Sequence, residues 1–258
     1  MSSESSLSSE IKFEYLLRLG DTALILSQRM SELCGKGPAL EEDMAMANTA
    51  LDLLGQARMW LSYAGELEGK GRDEDALAYF RSEREFHNLL LVEQPNGNYA
   101  DTMMRSFYFD VWHSLALEQL VKSKDTRIAE IAAKARKEAT YHLRRSSDLI
   151  VRMGDGTPAS RAKVQAAADW LWPFTGEMFA SDAVDEAVVA DGVGFNSAAM
   201  KPLWLAYVGK VFTTATLHLP AADAWMQKGG KQGVHSEHLG YLLAEMQVVH
   251  RAHPGATW

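Results

Sequence analysis

The sequence predicts an all-α fold, a four-helix bundle with additional helices towards the C-terminus. Apolar residues recur at three- and four-residue intervals over several long segments, as on the buried face of an amphipathic helix. No segment of appreciable length alternates with the period of two that marks a half-buried strand. At 258 residues the chain can bury one large core. We therefore expect a single helical domain over residues 11–258, after a disordered, Ser-rich and acidic segment over residues 1–10.

The first two bundle helices have clear start and stop signals. Ser8 or Ser9 can cap a helix that begins near residue 11, and Gly35 ends it. The second helix is predicted over residues 40–67 and is broken by glycines at 69 and 71. Six positions share one face of this second helix: Met44, Ala47, Leu51, Leu54, Arg58 and Leu61.

The next three segments complete the predicted bundle. A shorter helix is expected over residues 75–92, closed by a turn at residues 94–97. An aromatic-rich helix follows over residues 99–121, and Asp125 caps a helix that reaches residue 153. The four long helices are predicted to pack antiparallel around the core, since short loops join them.

The remaining segments are predicted to pack outside the bundle or to cap one end. Thr157 and Pro158 form a helix start, and Pro173 stops that helix. Residues 183–196 are predicted to be irregular, with one helical turn. Amphipathic helices are expected over residues 200–217 and 236–252, with a Gly-rich loop at residues 229–233 before the last.

Composition excludes several classes of function. The net charge of −8 argues against a nucleic-acid binder, and no apolar run approaches the roughly 20 residues of a membrane span. The N-terminus lacks the basic and apolar regions of a secretory signal, so we expect a cytoplasmic protein. Cys34 is the single cysteine, which rules out an internal disulfide. At the end of an apolar stripe it is expected to be a buried, inert thiol.

Acidic residues on the four long helices raise the question of a di-iron site. Such a bundle takes one Glu from each of two helices and a Glu-x-x-His pair from each of the other two. Here the candidates in chain order are Asp21, Asp52 with Gly55 at the histidine position, Asp110, and Glu138 with His142. Glu138 and His142 stand four residues apart instead of three, so either alignment loses a ligand.

Two interpretations of these acids compete. In the first they are structural and pair with nearby cations, because an unpaired buried carboxylate costs several kcal/mol. The cations expected to serve are Arg29, Arg58, Arg136 and Lys137. In the second, the chain is a stand-alone metal-dependent oxygenase or oxidase with an unusual ligand set. That set comprises Asp21, Asp52, Asp110, Glu138 and His142.

Two features near the C-terminus carry weaker hypotheses. His235 and His238 are spaced like metal ligands, but the intervening Ser-Glu follows a glycine loop and favours a helix cap. The Gly-rich loop lacks the frame of a phosphate-binding loop. With Lys228 and Lys231 it is still a candidate site for an anion.

Five motifs together resemble the C subunits of bacterial ring-1,2-phenylacetyl-CoA epoxidases. The resemblance covers nearly the whole chain from residue 13 onward. The motifs are Arg18-Leu19-Gly20-Asp21, the segment at residues 51–58, the segment at residues 89–98, the segment at residues 137–144, and the segment at residues 229–240.

The resemblance implies a ferritin-like fold inside a multicomponent monooxygenase that epoxidises the ring of phenylacetyl-CoA. It implies a catalytic A subunit that holds the di-iron centre, a small bridging B subunit, and a reductase with flavin and iron-sulfur groups fed by NADPH. On this basis the chain itself has no cofactor and no catalytic residue, and pairs with the A subunit in a heterodimer or larger assembly. The incomplete ligand set agrees with that expectation. A contact between this chain and the acyl-CoA is a third hypothesis.

Overall fold

A computed structural model of the protein describes residues 7–221 and 223–256. Regular structure within these ranges is helical throughout, which confirms the predicted all-α class. Four long helices form the bundle: α1 (Ser9–Ser31), α2 (Leu40–Glu68), α5 (Tyr99–Leu120) and α6 (Thr126–Gly154). Two short helices lie between α2 and α5, namely α3 (Glu74–Tyr79) and α4 (Leu90–Glu93). The C-terminal helices are α7 (Pro158–Leu171), α8 (Ala183–Ala190), α9 (Ser197–Thr214) and α10 (Glu237–Ala252).

The bundle consists of two helical hairpins. Helix α1 packs along α2 and α5 packs along α6, whereas α2 and α6 touch over a short stretch only. Helices α7 and α9 cover α5 and α6, while α8 and α10 contact α1. None of the helices in the described ranges is both long and apolar enough to cross a membrane.

Aromatic residues of α5 form the centre of the core. Phe107, Tyr108 and Phe109 are fully buried, and the ring of Tyr108 packs against Trp172 and Trp204. The indole of Trp204 donates a hydrogen bond to the backbone oxygen of Tyr108 at 3.0 Å. This bond satisfies the polar edge of a buried indole and fixes α9 against α5.

The predicted helix over residues 75–92 was wrong, because the chain leaves helical structure after Tyr79. Ser82 and Glu85 form a capping box around a single 3-10 turn, Glu83–Glu85, and the next helix starts at Leu90. Arg81 explains the break. Its guanidinium lies inside the bundle, 2 % exposed, and binds the carboxylate of Asp21. The backbone therefore leaves the α-helical conformation after Tyr79, and this change of direction places the Arg81 side chain against Asp21.

Three other expectations need correction. Residues 183–196 contain an eight-residue helix, α8, whose Asp182 cap accepts from the backbone N–H groups of Val184 and Asp185. Cys34 is exposed, since it lies in the turn after α1 and not on the apolar stripe. Helix α1 begins at Ser9, with Ser8 as its cap, so residues 9–10 are helical; residues 1–6 lie outside the described ranges.

Helix α2 has apolar residues on two faces, one of which is buried. The face that packs into the bundle carries Met46, Ala50, Leu53, Ala57 and Trp60, all buried. Of the positions that the sequence grouped on one face, Met44, Leu51 and Leu54 are exposed, whereas Leu61 is buried.

The Gly-rich loop binds an anion that belongs to the chain itself. The carboxylate of Glu177 is buried and accepts hydrogen bonds from the backbone N–H groups of Gly229, Gly230 and Leu90 at 2.8, 2.7 and 2.9 Å. Lys231, in the same loop, is buried and donates to Asp185 Oδ2 at 2.8 Å. The backbone donors of Gly229 and Gly230 and the ammonium of Lys231 are therefore engaged within the chain, contrary to the hypothesis of a site for an external anion. Of the two lysines of that predicted site, only Lys228 is exposed.

Replacing Glu177 by Gln should lower the free energy of unfolding by about 2–4 kcal/mol. The amide would place N–H donors against backbone N–H donors and would remove charge-assisted bonds. Urea denaturation of the two proteins measures the difference. Glu186→Gln, an exposed position on α8, is the matched control. A loss below about 0.5 kcal/mol at Glu177 would contradict this role.

Candidate functional site

The candidate metal residues of α2 and α6 are bonded to one another. His142 Nε2 lies 2.9 Å from Asp52 Oδ2, and Gln56 Nε2 donates to Glu138 Oε2 at 2.9 Å. The two helices run antiparallel, so a pair four residues apart on α2 faces a pair four residues apart on α6. The spacing of four that does not match a Glu-x-x-His motif therefore fits two bonds across the α2–α6 crossing.

Asp21 is neutralised by Arg81. The carboxylate of Asp21 is fully buried and binds the guanidinium through two hydrogen bonds, one of them from Nη1 to Oδ2 at 3.0 Å. The backbone N–H of His87 donates to the same oxygen at 2.9 Å. A buried carboxylate needs compensation of this kind. Here an arginine supplies the positive charge that a metal would supply in a di-iron bundle.

Asp110 on α5 is buried close to His142 and Ser146 of α6. Burial raises the pKa of the Asp110 carboxyl to about 6, and the charge of His142, a hydrogen bond with Ser146 and the charge of Arg145 oppose that rise. Burial likewise lowers the pKa of the neighbouring His113 to about 3, so its imidazole is neutral at pH 7. The interior here is a poor environment for charge.

Gly55 does not face the bundle interior. It is exposed on α2, and the residue that points inward at this level is Gln56, one position later and fully buried. Sequence reasoning missed Gln56 because it looked for a ligand three residues after Asp52. The signal that could have identified Gln56 is its position four residues after Asp52. The same spacing separates Glu138 from His142.

The cations predicted to pair with these acids were also wrong. Arg58 binds Glu74 at the surface, and Arg136 and Lys137 are exposed on α6. Arg29 donates to the backbone oxygens of Glu93 and His238. The true partner, Arg81, was missed because it lies in a segment predicted to be an amphipathic helix.

His235 belongs to a buried structural network. Its Nδ1 lies 2.9 Å from Glu93 Oε2, and its Nε2 lies 2.9 Å from the backbone oxygen of Phe86. The backbone N–H of Ser236 donates to Glu93 Oε1 at 2.7 Å, where α10 begins. Burial lowers the pKa of His235, but the hydrogen bond and charge of Glu93 outweigh it, and the net shift is upward. Both ring nitrogens are occupied, so His235 does not form a metal site with His238.

These residues do not fit a di-iron centre. Two irons need several carboxylates to neutralise them. Here Asp21 is bound to an arginine and Gly55 offers no side chain. Two neutral atoms, Gln56 Oε1 and His142 Nδ1, have no hydrogen-bond partner among the described residues. Over the described ranges, no three residues among His, Cys, Asp and Glu are placed to share one metal ion. The ligand set required by the stand-alone oxygenase hypothesis does not come together.

Comparison with known proteins identifies the family. The family model described as phenylacetic acid catabolic protein matches residues 3–258. The chain belongs to this ferritin-like family. It is 51 % identical over 244 residues to the C subunit of 1,2-phenylacetyl-CoA epoxidase from Escherichia coli (strain K12). The match covers 95 % of this chain and 98 % of the relative. The resemblance found in the sequence motifs is confirmed.

Replacing Asp110 by Asn should stabilise the protein at pH 8. The folded-state pKa of about 6 lies above the ordinary value of 3.8, so the folded protein loses stability as pH rises through that interval. Asn removes this penalty, which amounts to about 1–3 kcal/mol above pH 7. The gain should shrink below pH 6 and vanish near pH 4.

Chemical denaturation between pH 4.5 and 8 measures this effect. Asp148→Asn, an exposed position on α6, is the control and should show no such pH-dependent gain. An Asp110→Asn protein that is less stable than the parent at pH 8 would show that the carboxylate is stabilised in place.

Replacing Glu138 by Ala should destabilise the fold by about 1–2 kcal/mol. Gln56 is fully buried, and the change would leave its amide without any partner. Lys137→Ala, the adjacent exposed position, should change stability by less than about 0.5 kcal/mol. Thermal and urea unfolding give both values. If the bound-iron content fell in Glu138→Ala while folding stayed intact, the structural role would be refuted.

Proposed function

We propose that this chain is a structural, non-catalytic member of a phenylacetyl-CoA 1,2-epoxidase complex in aerobic phenylacetate breakdown. Its partner in this proposal is the homologous A subunit, which carries the di-iron centre. The identity to an epoxidase C subunit over almost the entire length of both chains supports the assignment to the complex. The geometry of the bundle interior supports the non-catalytic role.

One observation carries the non-catalytic role, namely the Asp21–Arg81 ion pair. A guanidinium and a metal cation compete for the same carboxylate, and their charges repel at short distance. Arg81 is 2 % exposed and is also bonded to the backbone oxygens of Leu77 and Glu85. Moving it aside would break a buried network, so the ion pair is a permanent part of the fold.

The remaining chemistry of the proposed complex lies outside this chain. In our proposal the A subunit activates oxygen, a small B subunit bridges the complex, and a reductase with flavin and iron-sulfur groups delivers electrons from NADPH. We place this complex in the cytoplasm. This chain then contributes by stabilising and orienting the A subunit, a role for which a rigid core dominated by buried aromatic residues is suited.

A direct contact between this chain and the acyl-CoA has less support. The Gly-rich loop and Lys231, which were the candidates for an anion site, are engaged internally by Glu177 and Asp185. Calorimetric titration of a CoA thioester into the isolated chain and into the complex tests the contact. Binding of the thioester by the isolated chain would support a direct contact with the acyl-CoA.

The proposed function is tested with the assembled complex. Two single variants of this chain are compared with the parent, Asp52→Asn and His142→Gln. Both substitutions keep a hydrogen-bonding side chain at the α2–α6 crossing. Epoxidation rate and iron per assembled complex should remain within about twofold of the parent, since neither residue binds metal. Native mass measurement confirms assembly in each sample.

A loss of iron or a tenfold fall in rate at full assembly would contradict the non-catalytic role. Oxygen-dependent turnover by the isolated chain would support the alternative, a stand-alone oxygenase. The isolated chain should instead bind no stoichiometric iron and consume no oxygen.

A further inference from the structure

Residues 229–252 lie across the segment that carries Arg81 into the bundle. We call these residues, the Gly-rich loop together with α10, the C-terminal strap. Gln247 Nε2 donates to the backbone oxygens of Ala78 and Arg81, both at 3.0 Å, and Arg251 Nη2 donates to the Arg81 oxygen at 2.8 Å. The strap thus holds the backbone of Arg81 from outside, while the side chain of Arg81 points inward.

His235 fastens the start of the strap to the other end of the same segment. Its Nδ1 lies 2.9 Å from Glu93 Oε2, and its Nε2 lies 2.9 Å from the backbone oxygen of Phe86. The side chains of His235 and Glu93 are both 0 % exposed. A backbone carbonyl accepts hydrogen bonds and does not donate them, so Nε2 carries a proton.

The other ring nitrogen of His235 also faces an acceptor. Glu93 Oε1 accepts from the backbone N–H of Ser236 at 2.7 Å, and Glu93 Oε2 accepts from Asn88 Nδ2 at 3.0 Å. Such donors favour the carboxylate form of an acid. An imidazole is ordinarily the more basic of the two groups by about two pKa units, so the proton between them lies on Nδ1. His235 is therefore a buried imidazolium with a proton on each nitrogen.

The acidic groups around the ring favour this charged form. Burial lowers the pKa of His235, but the hydrogen bond and the charge of Glu93, with the charge of Glu83, outweigh burial and hold the pKa above its ordinary value. Arg29 of α1 brings a positive charge to the region. It donates to the backbone oxygen of Glu93 at 2.8 Å and is neutralised by Glu32, whose carboxylate lies 2.8 Å away.

Two further titratable groups of this region have other partners. His87 Nδ1 lies 2.8 Å from the backbone oxygen of Lys231, a bond that a neutral imidazole can make. Lys231 Nζ donates to Asp185 Oδ2 at 2.8 Å. His235 differs from both, because it needs two ring protons to keep its two bonds between the strap and the segment before α5.

We propose that His235 is a pH-sensitive latch, which fastens the C-terminal strap while doubly protonated and loosens it on losing one proton. A neutral ring keeps one N–H, so one of the two bonds is lost and a lone pair faces an oxygen at 2.9 Å. This inference goes beyond the proposed function and does not depend on it.

The direction of the pH dependence follows from the raised pKa of His235. A group of this kind contributes its full stability below the ordinary histidine pKa of 6.5. The contribution is lost as pH rises through the higher pKa of the folded protein. The strap should therefore be closed in mildly acidic solution and loosen in alkaline solution.

Hydrogen exchange of the full chain, corrected for the intrinsic exchange rate, tests the latch from about pH 6 to about pH 9. Protection at residues 236–243 and 86–90 should fall by about tenfold, the change expected from the loss of one hydrogen bond to a charged group. Amides in the middle of α6 serve as the internal reference and should keep their protection. Protection that stays constant over this range in both segments would overturn the proposal.

A matched pair of variants identifies the titrating group. His235→Gln keeps a hydrogen-bonding side chain but cannot titrate, so its strap should be as loose at pH 6 as the parent's is at pH 9. His238→Gln makes the same change three residues further along, at a partly exposed position of α10, and should keep the parental pH dependence. A parental pH dependence in His235→Gln would overturn the latch.

Nitrogen-15 NMR of the histidine rings tests the protonation state without any variant. At pH 6 both ring nitrogens of His235 should carry a proton. The loss of one proton should have the same midpoint as the loosening of the strap. A single protonated ring nitrogen at pH 6 would overturn the inference, as would a midpoint that differs from that of the loosening.

Discussion

The ion pair between Asp21 and Arg81 determines how the rest of the bundle is arranged. Arg81 reaches the interior only because the chain leaves helical structure after α3, and that break gives the loop through His87 and Asn88. The same loop presents Phe86 to His235 and Leu90 to Glu177. A single buried carboxylate thus fixes the segment that ties the first hairpin to the C-terminal helices. In this bundle an arginine neutralises the buried carboxylate of Asp21.

The two hydrogen bonds between α2 and α6 likewise hold separate parts of the chain together inside the bundle. They join helices that otherwise touch over a short stretch, and they use the positions where metal ligands are expected in the fold. The hydrogen-bonded side-chain pairs at these positions hold the two helices in a defined register.

Much of the fold follows from sequence pattern, whereas the site does not. The long amphipathic helices and their caps are local or periodic properties, and they were predicted correctly. The partner of Asp21 is 60 residues away in sequence, and pairing over that distance leaves no periodic signal. The exposure of Met44, Leu51 and Leu54 does not follow from the sequence for a related reason: two apolar faces of α2 look alike until the packing of α1 buries one of them.

Anomalous scattering at the iron edge tests most directly whether polar bonds replace metal in this chain. A crystal of the assembled complex should give anomalous difference peaks within the A subunit. We predict no peak among Asp21, Asp52, Asp110, Glu138 and His142 of this chain, and density for the Arg81 guanidinium against Asp21. An iron peak at these residues, with Arg81 displaced from Asp21, would contradict the account.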